Sequence, residues 1–141
     1  MAKTDGKLDL LARVQLFEHC SQRELRTISA PADLITADEG EVLAKEGKPG
    51  LEFFVIAEGK AKVSLRGKKL AALKSGDFFG EMSLLDHSPR SATVTAESPM
   101  RLWVISPAAF QSMLTEAPTV GLKIMRGLAQ RLRALQKSPV Y

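Results

Sequence analysis

The sequence predicts a mixed α+β fold that is mainly β, with helices at both ends of the chain. Its middle, about residues 32–105, carries short runs of branched and aromatic residues that recur every eight to ten positions. Turn residues separate those runs, as at Glu39-Gly40 and Glu58-Gly59. The flanking segments instead place apolar residues at helical spacing. Short, evenly spaced strands are typical of a sandwich, roll or barrel rather than of a parallel sheet.

The N-terminal segment predicts two helices before the first strand. Ser21 with Glu24 three residues later is the capping-box pattern that begins a helix, and Pro31 ends that helix. The preceding helix is predicted from apolar residues near helical spacing: Leu8, Leu11, Val14, Leu16 and Phe17.

The β region shows strand alternation most clearly between residues 60 and 65. Ala61, Val63 and Leu65 alternate there with Lys60, Lys62 and Ser64, as expected for a half-buried strand. Further turns are predicted at 47–50, 66–67 and 75–77, each of which contains glycine.

Two more helices are predicted after the β region. Ser106 is a suitable N-cap with Pro107 in the first turn, and this helix runs to about Leu114. Pro118 begins a longer helix that ends near Ser138-Pro139. Its apolar residues at helical spacing are Leu122, Met125, Leu128, Ala129, Leu132 and Leu135.

Length and composition fit one intracellular domain. The 141 residues are enough to bury a core, and the single cysteine, Cys20, excludes a disulfide within the chain. The charged N-terminus and the absence of a long apolar run predict neither a signal peptide nor a membrane span. We therefore expect a cytoplasmic protein.

The net charge of +4 is concentrated at the C-terminal end. No acidic residue follows Glu116. A solvated helix face, an acidic partner, a nucleic acid and a ligand phosphate all remain open as explanations. The basic residues in question are Lys123, Arg126, Arg131, Arg133 and Lys137.

The stretch Gly80-Glu81-Met82-Ser83 predicts an anion-binding turn. Gly80 ends a strand and opens a short helical turn, where glycine lets a ligand come close to the backbone. The amides that follow are helix-start donors of the kind that bind phosphate. A carboxylate beside a phosphate, as at Glu81, is favourable where it accepts a hydrogen bond from a neutral donor such as a ribose hydroxyl.

Arg90 lies nine residues after Glu81, and the intervening turn can bring it back over the same site. Its guanidinium can bind two phosphate oxygens at once, which lysine cannot do. Ser91 adds a hydroxyl group.

Phe79–Leu84 followed by Arg90–Val94 resembles the phosphate-binding cassette of the cyclic-nucleotide-binding domain family. That family includes catabolite-activator-type regulators, regulatory subunits of protein kinases and cyclic-nucleotide-gated channels. The resemblance covers nearly the whole chain, since Leu16-Phe17, Glu39–Leu43 and Phe54–Ile56 with Gly59 also match the family pattern.

The resemblance implies an eight-stranded antiparallel, jelly-roll-like β-roll in a single domain, 1–141. Helices would occupy 1–30 and 107–137, and the roll 31–106 with the cassette at 79–94. Glu81 would bind the ribose 2′-hydroxyl and Arg90 the exocyclic phosphate oxygens, while Arg131 and Leu135 would act as lid residues on the last helix. Further contacts are implied for Gly80, Met82, Ser83 and Ala92 through their backbone, Ser91 through its hydroxyl, and Val63 and Leu70 against the purine.

We therefore expect a cyclic-nucleotide sensor, not an enzyme, that binds cAMP and signals by moving its C-terminal helix. In the family that the chain resembles, a Thr directly after the arginine can favour guanine. Ser91 stands there in this sequence, which leans to adenine and leaves cGMP and a cyclic dinucleotide open. No catalytic set or metal-ligand spacing is present in the sequence.

A protein effector is expected because no DNA-binding helix-turn-helix fits before Tyr141. The alternatives are an interaction or scaffold protein that uses the basic last helix, and the regulatory fragment of a larger effector or transcription regulator. The apolar face of that helix leaves a homodimer open.

Overall fold

The structure, a computed structural model, describes residues 2–135. The helices are α1 (Ala2–Ala12), a 3-10 helix (Gln15–Phe17), α2 (Gln22–Ser29), α3 (Glu81–Asp86), α4 (Pro107–Glu116) and α5 (Pro118–Leu135). The strands are β1 (Asp33–Ala37), β2 (Val42–Ala44), β3 (Phe53–Glu58), β4 (Ala61–Leu65), β5 (Lys68–Leu73), β6 (Phe78–Phe79), β7 (Thr93–Ala96) and β8 (Met100–Ile105).

These elements form two compact units. The roll unit spans Pro31–Phe110 and holds the eight strands found in residues 2–135. The helical unit comprises the described residues up to Ala30 together with those from Gln111 onward. The assignment of the whole chain to a single domain stays a prediction.

The roll unit is built from two four-stranded sheets, with strand orders β1-β8-β3-β6 and β2-β7-β4-β5. All six strand pairs are antiparallel. The predicted fold, an eight-stranded antiparallel β-roll with helices at both ends of the chain, is confirmed. The alternation predicted for β4 is weaker than expected, since Ala61 is buried and the next four residues are only partly so.

Both sheets of the roll contribute side chains to one hydrophobic core. Phe54 and Phe79 are register partners on β3 and β6, and their rings stack with centroids 4.7 Å apart. Burial of such aromatic and branched side chains supplies most of the stabilisation of a small β domain. The other buried members are Ala37, Ala44, Ile56, Ala61, Val94, Ala96, Met100 and Leu102.

The predicted helix starts are confirmed. The Ser21 hydroxyl accepts from the Glu24 amide at 3.2 Å, and the Glu24 carboxylate accepts from the Ser21 amide at 2.8 Å, so the capping box is complete. The Ser106 hydroxyl accepts from the Ala109 amide at 3.1 Å, and α4 begins at Pro107. The first predicted helix ends earlier than its apolar spacing indicated: α1 ends at Ala12, and Val14 is the N-cap of the 3-10 helix.

Helix α5 differs from the sequence prediction in the face that it packs. Its buried residues are Val120, Ile124 and Gly127, none of which was in the predicted apolar set. A Cβ at Gly127 would lie 3.0 Å from the Leu16 carbonyl oxygen, so α5 approaches the 3-10 helix closely there. The predicted apolar residues Leu122, Met125, Leu132 and Leu135 are exposed.

The predicted end of this helix near Ser138-Pro139 lies outside the described residues, as does Lys137. Across the part of the chain that is described, none of the helices combines the length and apolar character that a bilayer crossing requires.

Candidate functional site

The predicted cassette begins at a backbone position that requires glycine. Gly80 has φ 91° and ψ 1°, in the left-handed region, and it caps α3 directly after β6. A Cβ there would lie 2.5 Å from the Glu52 carbonyl oxygen and 2.9 Å from Arg90 Nη1. The Leu84 amide donates to the Gly80 carbonyl at 3.2 Å and closes the first helical turn. Amides before that point have no acceptor within a helix.

Arg90 is buried in the roll unit, with 6% of its side chain exposed. Its Nη2 donates to the Glu52 carbonyl at 3.0 Å and lies 3.5 Å from the Glu52 carboxylate oxygen Oε1. Its Nη1 donates to the Gly80 carbonyl at 3.4 Å. The guanidinium also lies over the Phe54 ring, 5.7 Å from its centroid. The arginine is therefore held between the start of α3 and the start of β3.

A backbone ladder sets the position of Arg90. Its amide donates to the Lys48 carbonyl at 3.0 Å, and its carbonyl accepts from the Gly47 amide at 2.8 Å. One step further along, the Glu46 amide donates to the Thr93 hydroxyl at 3.1 Å. Segment 46–48 and segment 90–93 are thus paired, which fixes where the arginine side chain leaves the backbone.

Glu46 extends this pairing to the turn between β4 and β5. Its carboxylate accepts from the Thr93 hydroxyl at 2.9 Å and from the Arg66 amide at 3.0 and 3.1 Å. These donors, the Arg66 amide first, hold the pKa of the Glu46 carboxyl below its usual value. The turn is therefore tied to the strand that follows the cassette.

The electrostatics of Arg90 reflect burial against nearby carboxylates. Desolvation lowers the pKa of its guanidinium from the ordinary value, while the charges of Glu52 and then Glu81 act in the opposite direction. An arginine stays protonated in proteins despite such a shift. The site therefore holds a buried cation with two carboxylates near enough to influence it.

The remaining cassette residues surround this position with mixed exposure. Ser83 is buried, Gly80, Glu81 and Ala92 are partly buried, and Met82 and Ser91 are exposed. Of these residues, Gly80 contacts Arg90 directly, because its carbonyl accepts a hydrogen bond from Nη1.

The two predicted purine contacts lie on the β4–β5 hairpin of the same unit. Val63 is partly buried and packs against the core. Leu70 is 58% exposed and has no register partner where the ladder shifts between Val63 and Ser64. Their role toward a base stays a prediction.

The two predicted lid residues lie on α5, in the helical unit. Arg131 is partly buried and Leu135 is 78% exposed. Their closing over a ligand likewise stays a prediction.

Sequence reasoning missed the residues that hold the arginine. Glu52 lies 38 positions from Arg90, and no spacing rule joins them. Gly50 was also missed, although a Cβ there would come within 2.7 Å of Arg90 Nε. The one signal in the sequence is that residues 50–52 directly precede the apolar run Phe53–Ile56.

The titratable residues around the cassette make contacts close to them in sequence. His87 caps α3 in the left-handed region with φ 61°, and it is exposed. Asp86 accepts from the Ser88 amide at 2.9 Å, and Asp77 accepts from the Lys74 amide at 2.9 Å. Within the described residues, no group of three His, Cys, Asp or Glu side chains is arranged to hold a metal ion.

Comparison with known proteins agrees with this geometry. The family model of the cyclic nucleotide-binding domain matches residues 34–117. The N-terminal domain of a transcriptional regulator from Streptomyces coelicolor A3(2) superposes with a TM-score of 0.82 and 31% identity, over 93% of this chain and 97% of that one. The regulatory domain of Toxoplasma gondii PKA, solved with cAMP, gives a TM-score of 0.74 at 25% identity over 84% of this chain and 47% of that one.

A cGMP-dependent protein kinase of Toxoplasma gondii is 39% identical over 87 residues, which are 62% of this chain and 9% of the kinase. The curated relatives are longer than the chain, which spans between 9% and 58% of their length. The family match covers more than half of the chain, and the related structures share its β-roll. The chain therefore belongs to the cyclic nucleotide-binding domain family.

Proposed function

We propose that this chain is a sensor module that binds a purine cyclic monophosphate, with cAMP as its preferred ligand, and that it works by binding rather than by turnover. The observation that carries this proposal is the buried guanidinium of Arg90 beside Gly80. A buried cation is costly unless it is paired. A ring phosphate offers a charged bidentate partner for such a group.

Glu81 is proposed to bind the ribose 2′-hydroxyl. It begins α3 directly after Gly80, and its charge acts on Arg90. Two groups of opposite charge at one site suit a ligand with an anionic phosphate and a neutral hydroxyl donor. The amides of Gly80, Met82, Ser83 and Ala92 and the Ser91 hydroxyl would complete the contacts to the phosphate.

The base is proposed to lie against the β4–β5 hairpin, at Val63 and Leu70. The exposed Leu70 offers apolar surface for a purine. Ser91 in place of threonine favours adenine, while the similarity to a kinase named for cGMP keeps that ligand as the second candidate. Both ligands are therefore included in the test.

Signalling is proposed to pass through α5, with Arg131 and Leu135 as its lid residues. Helix α5 is joined to the N-terminal part of the helical unit by an ion pair and a hydrogen bond. Lys123 Nζ lies 2.6 Å from Glu24 Oε1, and Gln130 Oε1 lies 2.9 Å from His19 Nε2. A ligand would therefore move α5 together with α2, or would move the last turn of α5 alone. Either change requires a difference in ligand affinity between the two arrangements.

A second function, the docking of an acidic partner on α5, is favoured by one observation. Arg126 and Arg133 are exposed, seven residues apart, beside the exposed apolar side chains of Leu122, Met125 and Leu132. Charge reversal at Arg126 and Arg133 should abolish capture of an acidic partner. Retained capture after reversal contradicts this function.

Calorimetric titration tests the leading proposal. The wild-type chain should bind cAMP with a dissociation constant in the micromolar range or below, and cGMP more weakly. Arg90→Ala should weaken binding by about 30-fold to several thousand-fold, because the variant removes one member of a desolvated charge pair, a loss of about 2–5 kcal/mol.

Arg101→Ala is the matched control. Arg101 pairs with Glu58 at 3.7 Å on the same unit, and 41% of its side chain is exposed. Its removal should leave the affinity for cAMP unchanged. Absence of binding to any cyclic purine nucleotide, or equal losses in the two variants, contradicts the proposed function.

A further inference from the structure

The Arg90 side chain presents its hydrogen-bond donors to acceptors of two kinds. Gly80 and Glu52 supply backbone carbonyls, at 3.4 and 3.0 Å. Glu52 also supplies its carboxylate, 3.5 Å from Nη2. Of these three acceptors, the carboxylate alone belongs to a side chain, so it can leave without a change in the backbone.

The carboxylate of Glu52 is also a distant and half-exposed acceptor. Its side chain is 49% exposed, whereas that of Arg90 is 6% exposed. Strong charge-assisted hydrogen bonds join nitrogen and oxygen at about 2.7–2.9 Å, and this pair is longer. The carboxylate side of this pair is open to solvent, which screens its attraction for the guanidinium.

A phosphate bound to this arginine would compete with that carboxylate. Nη2 carries two N–H groups, and both acceptors found for it belong to Glu52. Bidentate binding of a phosphate needs two N–H groups on one edge of the guanidinium. A phosphate would also meet the negative charge of Glu52 at short range.

We propose that Glu52 is an internal anion that occupies Arg90 when the ligand is absent and that competes with the ligand phosphate for it. This inference rests on the proposed function. The Glu52 carbonyl keeps the guanidinium in place, while the carboxylate swings into solvent when a phosphate arrives. Glu52 therefore lowers the affinity of the site, and the chain responds at a higher ligand concentration than Arg90 alone would set.

The test compares Glu52→Gln with Glu58→Gln. Glu58 ends β3, the strand that Glu52 precedes, and pairs with Arg101 at 3.7 Å with 66% of its side chain exposed. Both substitutions remove one negative charge and one half-exposed ion pair. Only Glu52→Gln removes the charge beside Arg90.

Calorimetric titration with cAMP, together with urea unfolding of the ligand-free proteins, supplies two readouts. Glu52→Gln should bind cAMP about twofold to tenfold more tightly than the wild type, while its ligand-free stability stays equal or falls slightly. Glu58→Gln should leave the affinity unchanged. A residue that merely positions Arg90 would instead lose affinity and stability together when it is replaced.

Three outcomes would overturn the inference. Equal or weaker binding by Glu52→Gln shows that the carboxylate does not compete, and an equal gain in Glu58→Gln shows a general effect of charge. In both cases binding by the wild type leaves the proposed function standing. Absence of binding by all three proteins overturns the proposed function and this inference with it.

Discussion

Two of the ion pairs found in residues 2–135, Lys123–Glu24 and Arg90–Glu52, differ in almost every physical respect. In the helical unit, Lys123 and Glu24 lie 2.6 Å apart with side chains 27% and 11% exposed. In the roll unit, Arg90 and Glu52 lie 3.5 Å apart, with a buried arginine and a half-exposed carboxylate. The first pair is short and enclosed, and the second is long and open on its acidic side.

The Glu24 carboxylate accepts hydrogen bonds from three groups of the protein. It accepts from Lys123 at 2.6 Å, from the Thr119 hydroxyl at 2.7 Å and from the Ser21 amide at 2.8 Å. These donors hold its pKa at about 2, below its usual value of 4.5. A carboxylate with all these partners joins α2 to α5. On our proposal the Glu52–Arg90 pair is instead exchangeable, because a ligand phosphate replaces its carboxylate.

After Arg90→Ala, the largest effect is expected from Gly80→Ala, which displaces Arg90 and strains the backbone. A methyl group at this left-handed position would meet the Glu52 carbonyl at 2.5 Å and Arg90 Nη1 at 2.9 Å. The strain should lower stability by about 1–3 kcal/mol, and the displaced arginine should weaken cAMP binding at least about 30-fold. Urea unfolding and calorimetry measure the two effects.

Gly40→Ala is the matched control for that substitution. Gly40 has nearly the same dihedral angle, φ 89°, but a Cβ there meets no atom within 4 Å. It should show the loss of stability from backbone strain without any loss of affinity. Normal affinity in Gly80→Ala would contradict the placement of the ligand beside Arg90.

Glu81→Ala should have the next largest effect on binding. Loss of the acceptor for a buried hydroxyl costs about 1–3 kcal/mol, or roughly a fivefold to 150-fold loss of affinity. The wild type should lose a similar amount with 2′-deoxy-cAMP, and the variant should not distinguish the two ligands. Additive losses from the substitution and the deoxy ligand would show that Glu81 does not bind the sugar.

The structural pair is tested by Glu24→Gln. Loss of its charge-assisted hydrogen bonds should lower the free energy of unfolding by about 1–3 kcal/mol and leave the affinity for cAMP unchanged. Glu18→Gln, at an exposed position of the same unit, should change neither quantity. An affinity change in Glu24→Gln that exceeds its effect on stability would overturn the distinction between the two pairs.

The loss of stability in Glu24→Gln should depend on pH. Because the pKa of Glu24 is about 2 in the folded chain against 4.5 ordinarily, its stabilisation is complete above about pH 4.5 and is lost as the pH falls toward 2. The difference in unfolding free energy between wild type and Glu24→Gln should therefore shrink between pH 6 and pH 3. A constant difference across this range contradicts the assignment.

The smallest expected effect concerns the thiol of Cys20, which lies near the Glu24–Lys123 pair. Burial first, and then the charge of Glu24, raise the pKa of Cys20 to about 11, against a smaller opposing effect of Lys123. Since the thiolate is the reactive form, labelling at pH 8 should be at least about tenfold slower in the folded than in the unfolded chain. Glu24→Gln should speed it. Equal rates in the folded and unfolded chains would contradict an enclosed cluster.

Local signals were sufficient to predict most of the fold. These signals act over three or four residues: the capping box at Ser21, the cap at Ser106 and the turn glycines. The structure confirms the helices and strands that begin or end at them. The cassette was predicted for the same reason, because Gly80 marks a backbone position that the sequence alone can identify.

The features that were missed depend on contacts between distant segments. Glu52 reaches Arg90 only because the ladder at 46–48 brings the two segments together. Helix α5 carries apolar residues on two faces, so periodicity could not decide that Val120, Ile124 and Gly127 face inward. Gly127 would ordinarily weaken a helix, and only the close approach to Leu16 explains it.

A crystal structure grown with cAMP tests the central claim most directly. The account predicts the ring phosphate within about 2.7–2.9 Å of the Arg90 guanidinium, the sugar hydroxyl on Glu81, and the Glu52 carboxylate turned toward solvent. A nucleotide bound elsewhere, with Arg90 still bonded to Glu52 and Gly80, would contradict the account, because it would show that Arg90 is not the phosphate-binding residue.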